Sequence, residues 1–284
     1  MALGRCTTGR AFRAGSCACA SANQAITDAA DQIARGHADV AIAGGAESLS
    51  NVPMTISTKL ARALVAASGA KTTVAKLRSF ADVRLRDLAP VAPGIRETST
   101  GLTMGESAER MAAINAIPRE DQDRWALRSH RFAAAAWDDG RLGCEVSPVY
   151  VDGHAVTADG HIRRDTTLEK LAALPPVFDR AHGTITAGNS SPLTDGAATV
   201  VIASADRARA LGREALATVR AYAYAAVDPA DQLLIAPAYA IPVALQRAGL
   251  TLADIGVFEM HEAFAAQVLS TLRVLERNGV GSVP

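Results

Sequence analysis

The sequence predicts an α/β fold, in which short buried strands alternate with helices. Apolar residues at helical spacing predict a helix from Ala20 to Ala34, and the run from Asp39 to Ala43 predicts a short buried strand. Gly44 and Gly45 are expected to turn the chain sharply after that strand. Hydrophobic residues make up 49% of the 284 residues, so the chain can bury a substantial core.

The same alternation returns in the last third of the chain. The predicted strands there cover residues 184–187, 198–203, 216–224 and 256–260, and the predicted helices cover 204–211, 238–248 and 262–278. Ser204 is placed to cap the first of these helices, and Gly212 and Gly249 are placed to end the first two. Between the two α/β regions, helices are predicted over 105–116 and 119–140, which indicates an inserted, mainly helical subdomain.

Composition excludes several classes of protein. Formal net charge is zero and no basic stretch is interleaved with aromatic residues, so nucleic-acid binding has no support. No apolar run is long enough to span a membrane. The four cysteines, Cys6, Cys17, Cys19 and Cys144, have neither the spacing of a disulfide framework nor that of a metal site, which indicates a reducing compartment and no metal. The Arg-rich start is interpreted as a displaced start, because a transit peptide would end almost on Cys19.

Cys19 is the candidate nucleophile because it heads the predicted helix among small residues. The unpaired N–H groups and the positive end of a helix favour a thiolate there, and covalent acyl transfer requires a thiolate. The alternative is a small, inert, buried residue, as free cysteines commonly are. Judged on this residue alone, the alternative is preferred.

His261 and Glu262 follow an apolar segment and open a predicted helix, where α/β folds commonly carry catalytic groups. The alternative stays open: Glu262 caps the helix and His261 makes only a local hydrogen bond. The remaining histidines lie in polar, turn-like sequence and are expected at the surface: His37, His130, His154, His161 and His182.

The polar loop over residues 188–196 lies between two predicted strands and includes Asn189 and Ser191. It is either an ordinary turn or a ligand loop on a rigid sheet. Met104, at a helix entrance, is more typical of core packing than of an acyl-chain contact.

Five segments in order resemble the thiolase family: CASANQA from Cys19, AGGAESLSNVP from Ala43, TMGESAERMA from Thr103, TAGNSSPLTDGAA from Thr186 and HEAFAAQ from His261. The resemblance covers nearly the whole chain, and the sequence is most similar to the thiolase subunit of fatty-acid β-oxidation complexes. It implies acyltransferase chemistry on 3-ketoacyl-CoA, with CoA as a substrate and no separate cofactor. It also strengthens the prediction that Cys19 accepts the acyl group.

Further site residues are implied by the same resemblance. His261 stands where many thiolases have Asn, and would stabilise a developing oxyanion. Ser191 corresponds to a residue near the pantetheine arm of CoA, and Met104 to one lining the acyl pocket. Asn189 and Phe264 are placed with them in the substrate site. Cys17 has no role in the family pattern.

The resemblance also predicts the organisation. Residues 17–52 and 176–284 would be incomplete αβα halves of a thiolase-like fold, and residues 53–175 the loop subdomain. The Gly-His-Pro segment and second catalytic cysteine of the family are not found in the sequence. Two hypotheses therefore stay open: an acetyl-CoA C-acyltransferase, or an inactive or truncated thiolase-like polypeptide that at most binds acyl-CoA or a partner.

A third class, the ketosynthases, shares a cysteine at a helix end, but the CASANQ and HEAF segments favour a thiolase. The expected partners are acyl-CoA and CoA, a second copy of the chain, and a hydratase/dehydrogenase subunit. The expected location is the cytoplasm, or the mitochondrial matrix for a eukaryotic protein.

Overall fold

The computed structural model describes residues 14–51, 54–91 and 95–280. The predictions about Cys6, Pro53, the Arg-rich start up to residue 13 and the tail after residue 280 lie outside these residues. The described residues form two compact units. The first comprises residues 14–51 and 194–222, and the second comprises residues 54–193 and 223–280. The division into segments 17–52, 53–175 and 176–284 stays a prediction.

Helices outnumber strands along the described residues. The helices are α1 (Ser21–Ala34), α2 (Thr58–Gly69), α3 (Thr73–Arg78), α4 (Met104–Ile114), α5 (Arg119–Asp138), α6 (Leu168–Ala172), α7 (Ala205–Ala210), α8 (Pro237–Ala248) and α9 (Ala265–Arg277). The strands are β1 (Val40–Glu47), β2 (Val149–Val151), β3 (His154–Val156) and β4 (Gly196–Ala203). Short 3₁₀ turns lie at Leu85–Leu88, Leu233–Ile235 and Leu252–Asp254.

The first unit is built on an antiparallel pair of strands, β1 and β4, which runs from the pair Val40–Ala203 to the pair Glu47–Gly196. The predicted turn at Gly44 and Gly45 is wrong, because the strand continues through both residues. A Cβ on Gly44 would lie 2.2 Å from the carbonyl oxygen of Ala198. Glycine therefore allows a close approach of the two backbones, a role that glycine has inside strands.

Helix α1 lies against β1, and its Ala22 side chain approaches Gly45. The hydroxyl of Tyr222 donates a 2.9 Å hydrogen bond to Asp31 on the same helix. In α7, the predicted cap is confirmed: the hydroxyl of Ser204 accepts from the N–H of Arg207. The contacts of Ala22 and Asp31 hold α1 within the first unit. The first turn of α1 follows Cys19.

The core of the second unit is centred on α4, which packs against α9. Ala108 and Ala112 on α4 and Ala266 on α9 are all at most 3% exposed. Small side chains at this interface allow the helix axes to approach closely. A neighbouring cluster of larger side chains, Met111, Ile235, Ala238 and Leu275, continues the core toward α8.

Three predicted strands are wrong. The segment over residues 184–187 is not a strand, because the N–H groups of Thr184 and Ile185 donate to the carboxylate of Glu109 at 2.8–3.0 Å. A side chain thus takes the place of a neighbouring strand. The segments 216–224 and 256–260 pair with no strand among the described residues.

The predicted helices over 20–34, 105–116, 119–140 and 238–248 are confirmed, with shifts of one or two residues at their ends. The last helix begins at Ala265, with Phe264 as its N-cap, so it starts later than predicted. The β2–β3 hairpin was not predicted. Its turn, Asp152–Gly153, has positive φ at both residues, as two-residue hairpins favour.

No helix in the described ranges is long and apolar enough to cross a membrane.

Gly105→Ala tests the packing of α4. A Cβ on Gly105 would lie 1.9 Å from the ring of Phe178, so we expect a loss of about 1–3 kcal/mol in the free energy of unfolding, measured by urea denaturation. Gly69→Ala at the end of α2, where nothing lies within 4 Å, is the matched control and should not destabilise the protein. Equal stability of the two variants would contradict this packing.

Candidate functional site

Cys19 lies in a tight turn that enters α1. The N–H of Ala20 donates to the carbonyl oxygen of Cys17 at 2.9 Å, which closes the turn, and Ala18 inside it has a φ of 45°. Positive φ is uncommon for a residue other than glycine and is a form of strain found at functional sites. The hydroxyl of Ser21 donates to the carbonyl of Ala18 and accepts from the N–H of Cys17.

Cys19 is exposed, so the expectation of a buried residue in the alternative is wrong, and its role as nucleophile stays a prediction. In the part of the chain that the structure describes, its thiol makes no hydrogen bond. Cys19 lies two residues before Ser21, and Ser21 is the first residue of α1. This is the end at which a helix carries unpaired N–H groups. An exposed thiol in this position is accessible to an electrophile such as a thioester.

In the second unit, the loop over residues 188–191 pairs with the segment that enters α9. The N–H of Ser191 donates to the carbonyl of Ala263 at 2.9 Å, and the N–H of Ala265 donates to the carbonyl of Asn189 at 3.0 Å. Ser190 and Phe264 form the bridge between these bonds. Three of the predicted residues, Asn189, Ser191 and Phe264, are therefore held together by backbone pairing.

Asn189 is 3% exposed and its side chain is bonded within the protein. Its amide group donates to Asp123 at 3.0 Å and to the carbonyl of Thr184 at 3.1 Å, and its oxygen accepts from the N–H of Thr186 at 2.8 Å. Both amide N–H donors are used in this way. The geometry favours a structural role for Asn189, holding the loop that presents Ser191.

Asp123 anchors this loop to α5. It is 4% exposed and pairs with Arg119 at 2.8 Å, so its charge is compensated. Arg119 also donates to the carbonyl oxygens of Leu171 and Leu174. A charge buried with a partner and further hydrogen bonds is tolerated, whereas an unpaired one is strongly destabilising.

Phe264 is packed at the edge of α4. Its ring meets the ring of Phe178 edge-to-face, with centroids 6.2 Å apart, and Phe178 in turn covers Gly105. Met104, the first residue of α4, is half-buried beside Gly105. The hydroxyl of Thr103 caps α4 by accepting from the N–H of Glu106.

His261 is exposed, three residues before Phe264. The alternative in which Glu262 caps α9 is wrong, because the Nε1–H of Trp125 donates to the Glu262 carboxylate at 2.9 Å and Phe264 is the N-cap. Arg128 lies 4.9 Å from the centre of the Trp125 ring. Glu262 is thus tied to α5.

A basic pocket lies beside α5, and sequence analysis did not identify it. Its lining is Leu127, His130, Arg131, Ala134, Ala135, Asp138, Arg163, Arg164 and Thr166. Arg164 pairs with Asp138 at 2.7 Å, whereas Arg131 and Arg163 have no ion-pair partner among the described residues. The adjacent pair Arg163–Arg164 was the available signal.

His130 in this pocket is half-buried, not a surface residue as expected. Burial lowers the pKa of His130 below its ordinary value, and the charge of Arg163 lowers it further, while Glu262 acts in the opposite direction. The N–H of Arg163 lies 3.3 Å from His130 Nδ1, an arrangement that requires Nδ1 to be an acceptor and the ring to be neutral.

The structure therefore brings together Asn189, Ser191 and Phe264. Met104 adjoins Gly105, which Phe178 covers, and His261 lies on the same segment as Phe264. Cys19 belongs to the first unit. Across the described residues, no three His, Cys, Asp or Glu side chains are grouped as metal ligands are.

Two domain models of one family match the chain: the thiolase N-terminal domain over residues 12–206 and the thiolase C-terminal domain over residues 213–279. These matches cover most of the sequence, so the chain belongs to the thiolase family.

Among curated proteins, the chain is 50% identical over 259 residues to "3-ketoacyl-CoA thiolase" of Yersinia pestis (strain Pestoides F), and equally to that of Yersinia pseudotuberculosis serotype O:3 (strain YPIII). The match covers 90% of this chain and 59% of each relative. The chain thus spans about three fifths of the length of these relatives.

Solved structures confirm the predicted thiolase-like α/β fold. The acetyl-CoA acetyltransferase of Syntrophomonas wolfei matches with a TM-score of 0.77 and 32% identity, over 94% of this chain and 63% of that one. The human mitochondrial 3-ketoacyl-CoA thiolase in complex with CoA matches with a TM-score of 0.74 and 34% identity, over 91% and 61% respectively.

Asn189→Ala tests the structural role of this side chain. The change removes the hydrogen-bond partner of Asp123 Oδ1 and of the N–H of Thr186, so we expect a loss of about 1–3 kcal/mol in the free energy of unfolding, measured by urea denaturation. Asn278→Ala, at an exposed asparagine, is the control and should lie within about 0.5 kcal/mol of the wild type. Wild-type stability of Asn189→Ala would contradict the role.

His130 makes stability depend on pH. Because its pKa is lower in the folded protein, the unfolded chain takes up the proton at a higher pH, and stability falls as pH decreases through the ordinary value of 6.5. As the pH falls from about 7.5 to about 5.5, we expect the free energy of unfolding of His130→Gln to decrease less than that of the wild type. His154→Gln, on the exposed hairpin, should behave as the wild type. An unchanged pH response in His130→Gln would contradict the assignment.

Proposed function

We propose that this chain carries out thiolase chemistry: an acyltransferase that cleaves 3-ketoacyl-CoA to acetyl-CoA and a shortened acyl-CoA, or runs the reverse condensation. One observation carries the proposal. An exposed cysteine, Cys19, precedes the first turn of α1 in a chain that two thiolase domain models match. The names of the curated relatives, "3-ketoacyl-CoA thiolase", support this substrate class.

The chemistry follows from a thiolate at Cys19. Its sulfur attacks the 3-keto carbonyl carbon, the bond between carbons 2 and 3 breaks, and acetyl-CoA leaves after its carbanion takes a proton. The acyl group remains as a thioester on Cys19 until the thiol of a second CoA attacks it. A covalent intermediate divides one difficult step into two easier ones.

The remaining site residues are proposed in supporting roles. His261, exposed on the segment before α9, would donate to the oxygen on which negative charge develops. Ser191 would meet the pantetheine arm, and Met104 and Phe264 would line the acyl pocket. For Asn189 we propose an indirect role, since its donors already bind Asp123 and Thr184.

The basic pocket is proposed to hold the phosphates of CoA. Arg131 and Arg163 supply two charges without ion-pair partners in the described residues, and guanidinium groups match phosphate oxygens in geometry. The human structure that this chain resembles is described as a complex with CoA, which supports a CoA site in the shared fold. CoA acts as a substrate in this proposal, and no metal or other cofactor is invoked.

Assembly and location are proposed from the resemblance. We propose a homodimer, a hydratase/dehydrogenase subunit as a further partner in fatty-acid β-oxidation, and a cytoplasmic location, which the bacterial source of the curated relatives supports. The second candidate function is an inactive or truncated thiolase-like polypeptide that at most binds acyl-CoA or a partner.

Acylation of Cys19 tests the proposal directly. The chain is incubated with acetoacetyl-CoA and digested with trypsin, and peptide 14–35 is examined by mass spectrometry. We expect an acetyl adduct on Cys19, released by free CoA, because the thiol is exposed and unobstructed. Cys19→Ser should lose the adduct, whereas Cys144→Ser, at another exposed cysteine, should retain it.

The outcome separates the two candidate functions. An adduct with release by CoA supports the acyltransferase, and binding of acyl-CoA without an adduct supports the inactive polypeptide. Absence of both in folded protein contradicts the assignment of Cys19.

A further inference from the structure

A second thiol lies on the same turn as Cys19. Cys17 and Cys19 are both exposed, and in the described part of the chain neither thiol makes a hydrogen bond. Cys144 differs, since its thiol donates to the carbonyl oxygen of Arg141. The thiolase chemistry proposed above uses Cys19 and leaves Cys17 without a role.

The turn holds the two cysteines close together. Two residues of fully extended chain span roughly 6.6–7.2 Å, and the positive φ of Ala18 together with the bond from Ala20 N–H to Cys17 O shortens this distance. A disulfide requires Cα atoms about 4.4–6.8 Å apart. The turn therefore shortens the distance between the Cα atoms of Cys17 and Cys19 toward the range that a disulfide requires.

The turn is also anchored, so the proximity is maintained. The hydroxyl of Ser21 accepts from the N–H of Cys17 at 2.9 Å and donates to the carbonyl of Ala18 at 2.7 Å. Both cysteines are thus fixed to the first turn of α1. The two thiols therefore have a high effective concentration relative to each other, because no distant segments have to be brought together before they react.

We propose that Cys17 is a resolving cysteine for Cys19, and that the pair forms a reversible disulfide when the chain meets a hydroperoxide. The first step rests on the proposed function, because it uses the Cys19 thiolate as the nucleophile. The second step rests on the turn geometry alone.

Oxidation of the two thiols by one peroxide takes two steps. The thiolate sulfur of Cys19 attacks one peroxide oxygen, the O–O bond breaks, and Cys19 becomes a sulfenic acid while hydroxide or an alkoxide leaves and takes a proton from water. The sulfur of Cys17 then attacks the sulfur of Cys19, the S–O bond breaks, and water leaves with the proton from Cys17. Two electrons pass from the two thiols to one peroxide, and a dithiol returns the pair to the reduced state.

The disulfide has two effects on the site. It removes the nucleophile, so acylation stops until a dithiol reduces the pair. It also diverts the sulfenic acid from further oxidation to sulfinic acid, which is irreversible for most proteins. Cys17 thus protects the exposed thiol of Cys19 from irreversible oxidation.

Tryptic mapping tests the proposal, because peptide 14–35 contains both cysteines and neither Cys6 nor Cys144. After brief treatment with hydrogen peroxide and alkylation, we expect this peptide to lose two hydrogen atoms and to regain both thiols with dithiothreitol. In Cys17→Ser we expect about tenfold more sulfinic acid at Cys19. Cys144→Ser is the control and should oxidise as the wild type does. Circular dichroism confirms that each variant is folded.

Three results would overturn the proposal: equal sulfinic acid in the wild type and Cys17→Ser, a cross-link from Cys19 to the Cys6 peptide, or a disulfide between two chains. Failure here is distinct from failure of the proposed function. If Cys19 takes an acetyl group but forms no disulfide, only the resolving role of Cys17 is contradicted. If the disulfide forms but Cys19 takes no acetyl group, the Cys17–Cys19 disulfide stands and the acyltransferase function is contradicted.

Discussion

The need to satisfy buried backbone N–H groups organises the second unit. The segment over residues 184–189 has no neighbouring strand in the described part of the chain, and two carboxylates take that place. Glu109 accepts from the N–H groups of Thr184 and Ile185, and Asp123 holds the amide of Asn189. An unpaired buried donor costs about 1–3 kcal/mol, so each carboxylate constrains the chain strongly. The position of the loop, and of the α9 entry paired with it, follows from these contacts.

The sequence predicted the helices well and the strands poorly. Periodicity and end residues are local signals, so α1, α4, α5 and α8 were found within one or two residues. A strand needs a partner, and a short apolar run carries no information about whether one exists. The segment over residues 184–187 has strand-like residues, yet its bonding partner is a side chain about 75 residues away. Gly44 was assigned to a turn because the close approach of β4 is likewise non-local.

The candidate site was partly predictable for the same reason. The segments containing Cys19, Ser191 and His261 are contiguous and could be recognised as such, whereas the exposure of Cys19 is visible only in the structure. Contacts between distant segments were not predictable. Trp125 binds Glu262 across 137 positions, and the basic pocket is assembled from α5 and the segment near Arg163. Sequence alone also gave no sign that the donors of Asn189 are used internally.

The pairing of β1 with β4 has a consequence for synthesis of the chain. The two strands are separated by roughly 150 residues, all of which leave the ribosome before β4 does. Closing so long a loop costs entropy that is recovered only when both strands are present. The first unit therefore completes its fold late, and until then α1 and the turn before it have only half of their supporting strand pair. During that interval the unpaired edge of β1 can associate with other chains.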